Sequence, residues 1–138
     1  MRVYFDTSAF AKRYVDEQGS ADVLHWCDQA SELALSVIAV PELVSAFCRL
    51  QREGRLSAAQ YRSIQSDLLA DIADALICDT SPLVVSRAVH ALENHPPLRG
   101  MDAIHLGAAI VCEAEIFISA DLRQCSAARA LGLRVVTV

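Results

Sequence analysis

The stretch Arg2–Ala9, RVYFDTSA, is the feature that most limits what this chain can fold into. Val3, Tyr4 and Phe5 are β-branched or aromatic, residue types that fit a pleated, buried surface. They predict one short central strand. Within one residue the character flips to Asp6, Thr7 and Ser8. A carboxylate followed by two hydroxyls, at the carboxyl end of a buried strand, lies where open α/β sheets place their ligand crevice. Capping of the following helix accounts for the same residues, since Asp, Ser and Thr are favoured N-caps. Recurrence weighs against capping alone. Near the other end, Ile116-Phe117-Ile118-Ser119-Ala120-Asp121 again runs from an apolar strand into a hydroxyl and a carboxylate.

Between these two stretches the pattern alternates. A short helix is predicted over Ala9–Val15 and a turn over Glu17–Gly19. Ser20 reads as the N-cap of a helix over Ala21–Ala30, with Val23, Leu24 and Cys27 facing inward. Leu33–Val37 is a second apolar strand, and Pro41 suits only the first turn of the helix after it, which stops at Gly54. Ser57 with Gln60 forms a capping-box pattern for a helix reaching Ala75, striped by Tyr61, Ile64, Leu68 and Ile72. Leu76–Cys78 is a third strand. Pro82 starts a helix that Pro96-Pro97 ends. Met101–Ala114 is apolar nearly all round and predicts a buried helix. Strand Ile116–Ser119, helix Asp121–Leu131 and strand Arg134–Val138 close the chain. The resulting order, β-α-α-β-α-α-β-α-α-β-α-β, calls for a short parallel sheet covered by helices on both faces, a three-layer α/β/α domain.

With 138 residues the chain has the length of a single domain, 1–138, able to bury about two-thirds of its unfolded surface. Five scattered cysteines and four scattered histidines show neither a C-x-x-C pair nor zinc-ligand spacing. No leader-like or membrane-spanning run is present, so a cytoplasmic location is expected. The net charge of −5 is not that of a protein holding nucleic acid by counterion release alone. A nucleic-acid site here would need local arginines or bound cations to reverse the sign.

Strand carboxyl ends lie along one edge of a parallel sheet, so Asp6 and Asp121 meet if their strands are neighbours. Glu42 opens the helix leaving the second strand and reaches the same edge, although a first-turn Glu also suits the helix dipole. Asp102 opens the most apolar helix, where it is either a cap or a carboxylate in need of partners. His105, one turn on, is such a partner; packing or hydrogen bonding in the core explains it better than metal ligation does, since a single His lacks a motif. Four carboxylates on one edge would raise each other's pKa unless a cation sat among them. Oxygen-only ligands suit Mg²⁺ or Mn²⁺, with an attacking water from the ion's shell. Thr7, Ser8 and Ser119 would orient ligands or water. Arg49, two turns beyond Glu42 on the same helix face, is placed to hold phosphate, with Arg13 and Arg99 as further candidates. Pairing of Arg49 with Glu53 is the competing reading.

D-T-S-A at Asp6–Ala9, P-E-L at Pro41–Leu43 with Arg49 downstream, D-A-I-H-L at Asp102–Leu106 and I-S-A-D at Ile118–Asp121 together resemble the PIN-domain ribonucleases. The likeness is closest to the VapC-type toxins of bacterial toxin–antitoxin pairs, and it covers essentially the whole chain in order, down to A-L-G-L-R-V-V at Ala130–Val136. The resemblance implies a PIN fold and metal-dependent cleavage of RNA at Asp6, Glu42, Asp102 and Asp121. It maps the family's hydroxyl to Thr7 and Ser119, the latter often Thr in the family. It further implies a homodimer and a cognate antitoxin covering the site. A non-catalytic PIN-fold module binding RNA or protein is the alternative, against which the complete acid set speaks. A phosphatase using Asp6 as nucleophile would want a second Asp at the position of Ser8.

Overall fold

In the computed structural model, which describes Met1–Val138, the first strand is the middle of the sheet. Strand β1 (Arg2–Phe5) is flanked by β2 (Glu32–Ser36) and β4 (Ile116–Ser119), with β3 (Leu76–Cys78) and β5 (Val135–Thr137) at the edges. The order is β3-β2-β1-β4-β5 and every pairing is parallel. The chain builds outward from β1 through β2 and β3, then returns to β1's other side for β4 and β5. The switch point of the topology therefore lies between β1 and β4, where parallel sheets open a crevice at their carboxyl ends. Phe5 is in register with Ile118, and the Asp6 N–H donates to the Ile118 carbonyl at 3.0 Å.

Alternation along β1 divides the core in two. Val3 and Phe5 point into one layer, with Leu35, Ile116, Ile118, Phe10, Leu43, Phe47 and Leu68. That layer is covered by α1 (Thr7–Phe10), α2 (Ser20–Gln29), α3 (Ala39–Arg52) and α4 (Ala58–Asp74). Tyr4 points the other way, stacked on Phe117 at 5.6 Å between ring centroids. This second layer is closed by α5 (Pro82–Asn94), α6 (Gly100–Val111) and α7 (Leu122–Ala130). No helix is long and apolar enough to cross a membrane.

Several boundaries move from their predicted places. Helix α1 starts at Thr7 and passes into a single 3-10 turn, Ala11–Arg13, because the Asp6 side chain caps it through the Ala9 N–H. Gly19, at φ 92°, caps α2 in place of Ser20; the Ser20 hydroxyl instead accepts the Glu17 N–H. Leu24 is 44% exposed, because Val23, Trp26 and Cys27 occupy the inner face one turn apart. Val37 lies in the turn after β2, α6 ends at Val111, and β5 shortens to Val135–Thr137.

Helices α5 and α6 approach closely where Gly107 of α6 faces Val84 and Ala88 of α5. A Cβ on Gly107 would sit 2.5 Å from the Val84 carbonyl oxygen, closer than backbone allows. Alanine ordinarily favours a helix interior over glycine by about 1 kcal/mol. Here the sign reverses: Gly107→Ala is expected to cost roughly 1–3 kcal/mol as overpacking, read as a lowered Tm. An unchanged or higher Tm would contradict the close α5–α6 approach.

Candidate active site

Asp6 ends the central strand and is 2% exposed, so its carboxylate depends on local donors. The Ser119 hydroxyl, from β4, donates to Oδ2 at 2.7 Å. The Ser8 hydroxyl donates from within α1, 2.8 and 2.9 Å from the two oxygens, and the Ala9 N–H reaches Oδ1 at 2.9 Å. Ser8 and Ser119 in turn accept the N–H groups of Ala120 and Asp121, at 3.1 and 3.0 Å. The repeated strand–hydroxyl–carboxylate pattern is thus one joined structure. Burial nonetheless dominates and pushes the Asp6 carboxyl above its ordinary value, against the lowering effect of Ser119, His105, Ala9 and Ser8.

Asp121 caps α7, its Oδ1 accepting the N–H groups of Arg123 and Gln124 at 2.9 and 3.3 Å. Partial burial raises its carboxyl, but these N–H donors outweigh that and hold it below the usual range. Glu42, in the first turn of α3, behaves alike. Burial pushes it up, and the hydrogen bonds from His105 and Thr7 bring the net shift below ordinary. The Thr7 hydroxyl donates to Glu42 Oε1 at 2.7 Å, and His105 Nε2 lies 2.8 Å from the same oxygen. Asp102, in the first turn of α6, receives only a long contact from the Arg99 N–H at 3.4 Å.

All four carboxylates line one cavity of about 580 Å³, together with Thr7, Ser8, Arg49, Arg99, His105 and Gln124. Its only apolar lining comes from Ala11 and Ala46. Two cations therefore face four acids. Arg49 makes no ion pair, and Glu53 pairs instead with Arg55 at 3.7 Å, so the competing Arg49–Glu53 contact is not formed. Arg13 lies elsewhere: its guanidinium holds Asp71 in two hydrogen bonds, 2.7 and 2.9 Å, tying the 3-10 turn to α4. Ser119 is buried behind Asp6 and acts through it.

The four acids share a pocket, but no three acid, histidine or cysteine side chains approach closely enough to hold one ion. Three of the four carboxylates are already engaged: Asp6 by its hydroxyls, Glu42 by His105 and Thr7, Asp121 by its helix. The donor chemistry still suits a hard cation, since Mg²⁺ is usually bound by one or two carboxylates and keeps several waters. Sequence reasoning offered His105 as a partner for Asp102, whereas in the structure it bonds Glu42; Tyr4 and Gln124 were not assigned to the site. Gln124 is 1% exposed and its Nε2 donates to the Asp102 carbonyl at 3.1 Å, joining α7 to α6. Its signal was the D-x-x-Q spacing from Asp121, a helix-start pattern.

The PIN-domain profile matches residues 3–130. The chain belongs to the PIN-domain family. Among curated relatives, Ribonuclease VapC45 of Mycobacterium tuberculosis (strain CDC 1551 / Oshkosh) is 30% identical over 135 residues, which span 96% of this chain and 93% of that protein. Two solved structures share the PIN fold over nearly their whole length. M. tuberculosis VapC20, described as a sarcin–ricin loop cleaving toxin, gives a TM-score of 0.71 at 14% identity, covering 99% of both chains. A chain of a toxin–antitoxin complex from Klebsiella pneumoniae gives 0.69 at 19% identity, covering 98% of this chain and 96% of that one.

The raised Asp6 carboxyl has a measurable cost in the metal-free protein. A carboxyl pKa higher in the folded than in the unfolded state favours folding below the unfolded value. That advantage is lost as pH rises through the folded value. Asparagine cannot ionise, so Asp6→Asn is expected to melt at or above wild type at pH 7 without divalent metal. Its relative advantage should shrink toward about pH 4, where carboxyls protonate. A variant melting below wild type at pH 7 would mean that the hydroxyl and amide donors outweigh burial.

Proposed function

We propose that this chain is a Mg²⁺- or Mn²⁺-dependent endoribonuclease, the toxin of a toxin–antitoxin pair, acting at Asp6, Glu42, Asp102 and Asp121. The observation that carries the proposal is the convergence of these four acids, from four separate elements, on one polar cavity beside Arg49 and Arg99. The curated relative named a ribonuclease and the neighbour described as a sarcin–ricin loop cleaving toxin support it. Bound there, the ion would neutralise the carboxylates and supply an activated water for phosphodiester hydrolysis.

The protein's own residues divide the remaining work. Ser8 and Ser119 fix the Asp6 carboxylate so that it does not rotate away from the cavity. Thr7 and His105 fix Glu42. Gln124 ties the start of α6, which carries Asp102, to α7, whose cap is Asp121. Arg49 and Arg99, exposed at the rim, receive the phosphates flanking the scissile bond. A second copy of the chain and a cognate antitoxin complete the proposed assembly; the neighbour that is a toxin–antitoxin complex supports the latter. An antitoxin arginine entering the cavity would form charge-assisted hydrogen bonds with these acids and displace the ion.

Two measurements check this reading. Asp6→Asn should fold and lose at least about 100-fold in Mn²⁺-dependent RNA cleavage, more than loss of a supporting partner usually costs. Cleavage at the wild-type rate would refute the carboxylate–metal mechanism and favour the non-catalytic binding module. Arg49→Ala should weaken RNA binding and flatten its salt dependence by about 0.7 in log–log slope, the contribution of one phosphate contact on a single strand. An unchanged slope would remove Arg49 from the RNA path.

A further inference from the structure

We propose that His105 is a positioning residue for Glu42, and that the Tyr4 phenol decides which ring nitrogen does the holding. The inference rests on the proposed role of Glu42 as a metal-site carboxylate. Three elements meet at this ring: His105 from α6, Glu42 from α3 and Tyr4 from β1. His105 is 3% exposed and Tyr4 is fully buried. Tyr4 Oη lies 2.9 Å from His105 Nδ1, while Nε2 lies 2.8 Å from Glu42 Oε1.

The direction of each hydrogen bond follows from what each group can offer. An ionised carboxylate only accepts, so the hydrogen between His105 and Glu42 belongs to Nε2. A phenol, whose ordinary pKa is about 10, keeps its hydrogen at neutral pH. With Nε2 carrying the ring hydrogen of a neutral imidazole, Nδ1 is the unprotonated nitrogen and accepts the Tyr4 hydroxyl at 2.9 Å. The chain runs Tyr4 O–H to Nδ1, then Nε2–H to Oε1. Every buried polar side-chain atom is thereby satisfied, consistent with the absence of any unpaired one in the fold. The ring cannot turn easily, because Tyr4 is itself stacked on Phe117 with 12° between planes and meets the imidazole edge-on at 75°.

The consequence falls on Glu42. A glutamate has several rotatable bonds, and an ion binding to it must freeze them unless they are already held. His105 and Thr7 hold one oxygen, Oε1. Oε2 remains as the oxygen without a protein donor. An ion arriving at the cavity then finds that carboxylate already oriented. Partners of this kind usually change metal affinity by about 10–100-fold in metal sites. A histidine present only to fill the core would have no such effect.

The two nitrogens can be tested separately. Glutamine places its amide nitrogen near the Nε2 position and keeps the hold on Glu42; asparagine reaches only the Nδ1 position beside Tyr4. Mn²⁺ affinity of the full chain, read by electron paramagnetic resonance, should fall at least about 10-fold in Glu42→Gln and His105→Asn, but stay within about 3-fold of wild type in His105→Gln. Long-range ¹H–¹⁵N spectra of the wild-type protein should show the hydrogen on Nε2 and Nδ1 as an acceptor. This second readout needs no variant to fold. Hydrogen on Nδ1 overturns the proposal. Equal affinity in the Asn and Gln variants, with Glu42→Gln weakened, overturns it too. Unchanged Mn²⁺ binding in Glu42→Gln is a different result: it removes Glu42 from the metal site and refutes that part of the functional reading. The spectrum then decides the Tyr4–His105–Glu42 link by itself.

Discussion

Burial of the Asp6 carboxylate is the constraint on which the rest of the site depends. An ion taken out of water costs several kcal/mol unless donors replace its hydration. Here the donors are two hydroxyls and one backbone N–H, and they come from different parts of the chain: Ser8 and Ala9 just downstream, Ser119 from the far strand. Only the pairing of β4 beside β1 brings Ser119 to Asp6, more than a hundred residues apart. The strand order that builds the core is therefore the same order that makes a buried acid tolerable. It also opens the crevice, because β1 and β4 flank the switch point of the sheet.

The charge pattern around that acid is uneven. Asp6 resists ionisation because burial exceeds its hydrogen bonds, whereas Glu42 and Asp121 ionise more readily than usual because theirs exceed burial. A cation bound in the cavity, as proposed, would favour the ionised form of all three. The chain as a whole is acidic, at −5, so under the proposed function attraction for a polyanion would have to be local. Arg49 and Arg99 at the rim would supply it, with a bound divalent ion at the floor. Arg13 shows how a basic residue is lost to such a role: Asp71 consumes its guanidinium in two hydrogen bonds.

Much of this was legible in the sequence, and for identifiable reasons. Strand β1 and strand β4 announce themselves by a sharp change from apolar to polar residues, and a parallel sheet then places Asp6 and Asp121 together. Glu42 follows from Pro41, which is confined to a first turn. Arg49 follows from helical spacing, but the same spacing admits Glu53, and only the packed structure separates the two. What spacing cannot carry is a contact between elements. The buried ring of His105 gains meaning only when β1 supplies Tyr4 on one side and α3 supplies Glu42 on the other. Gln124 likewise acts through the Asp102 carbonyl of another helix. The exposure of Leu24 and the capping by Gly19 were misread because several residues satisfied the same local rule, and tertiary packing chose among them.

The central claim is that the cavity lined by the four carboxylates is where a divalent metal binds. Paramagnetic line broadening of backbone amide signals, on titrating Mn²⁺ into the full-length, RNA-free protein, tests it most directly. The account predicts that broadening begins with amides around Asp6, Glu42, Asp102 and Asp121 together, and spares the Arg13–Asp71 region. Broadening centred on any other acidic surface, or spread evenly over the protein at the same Mn²⁺ level, would contradict it.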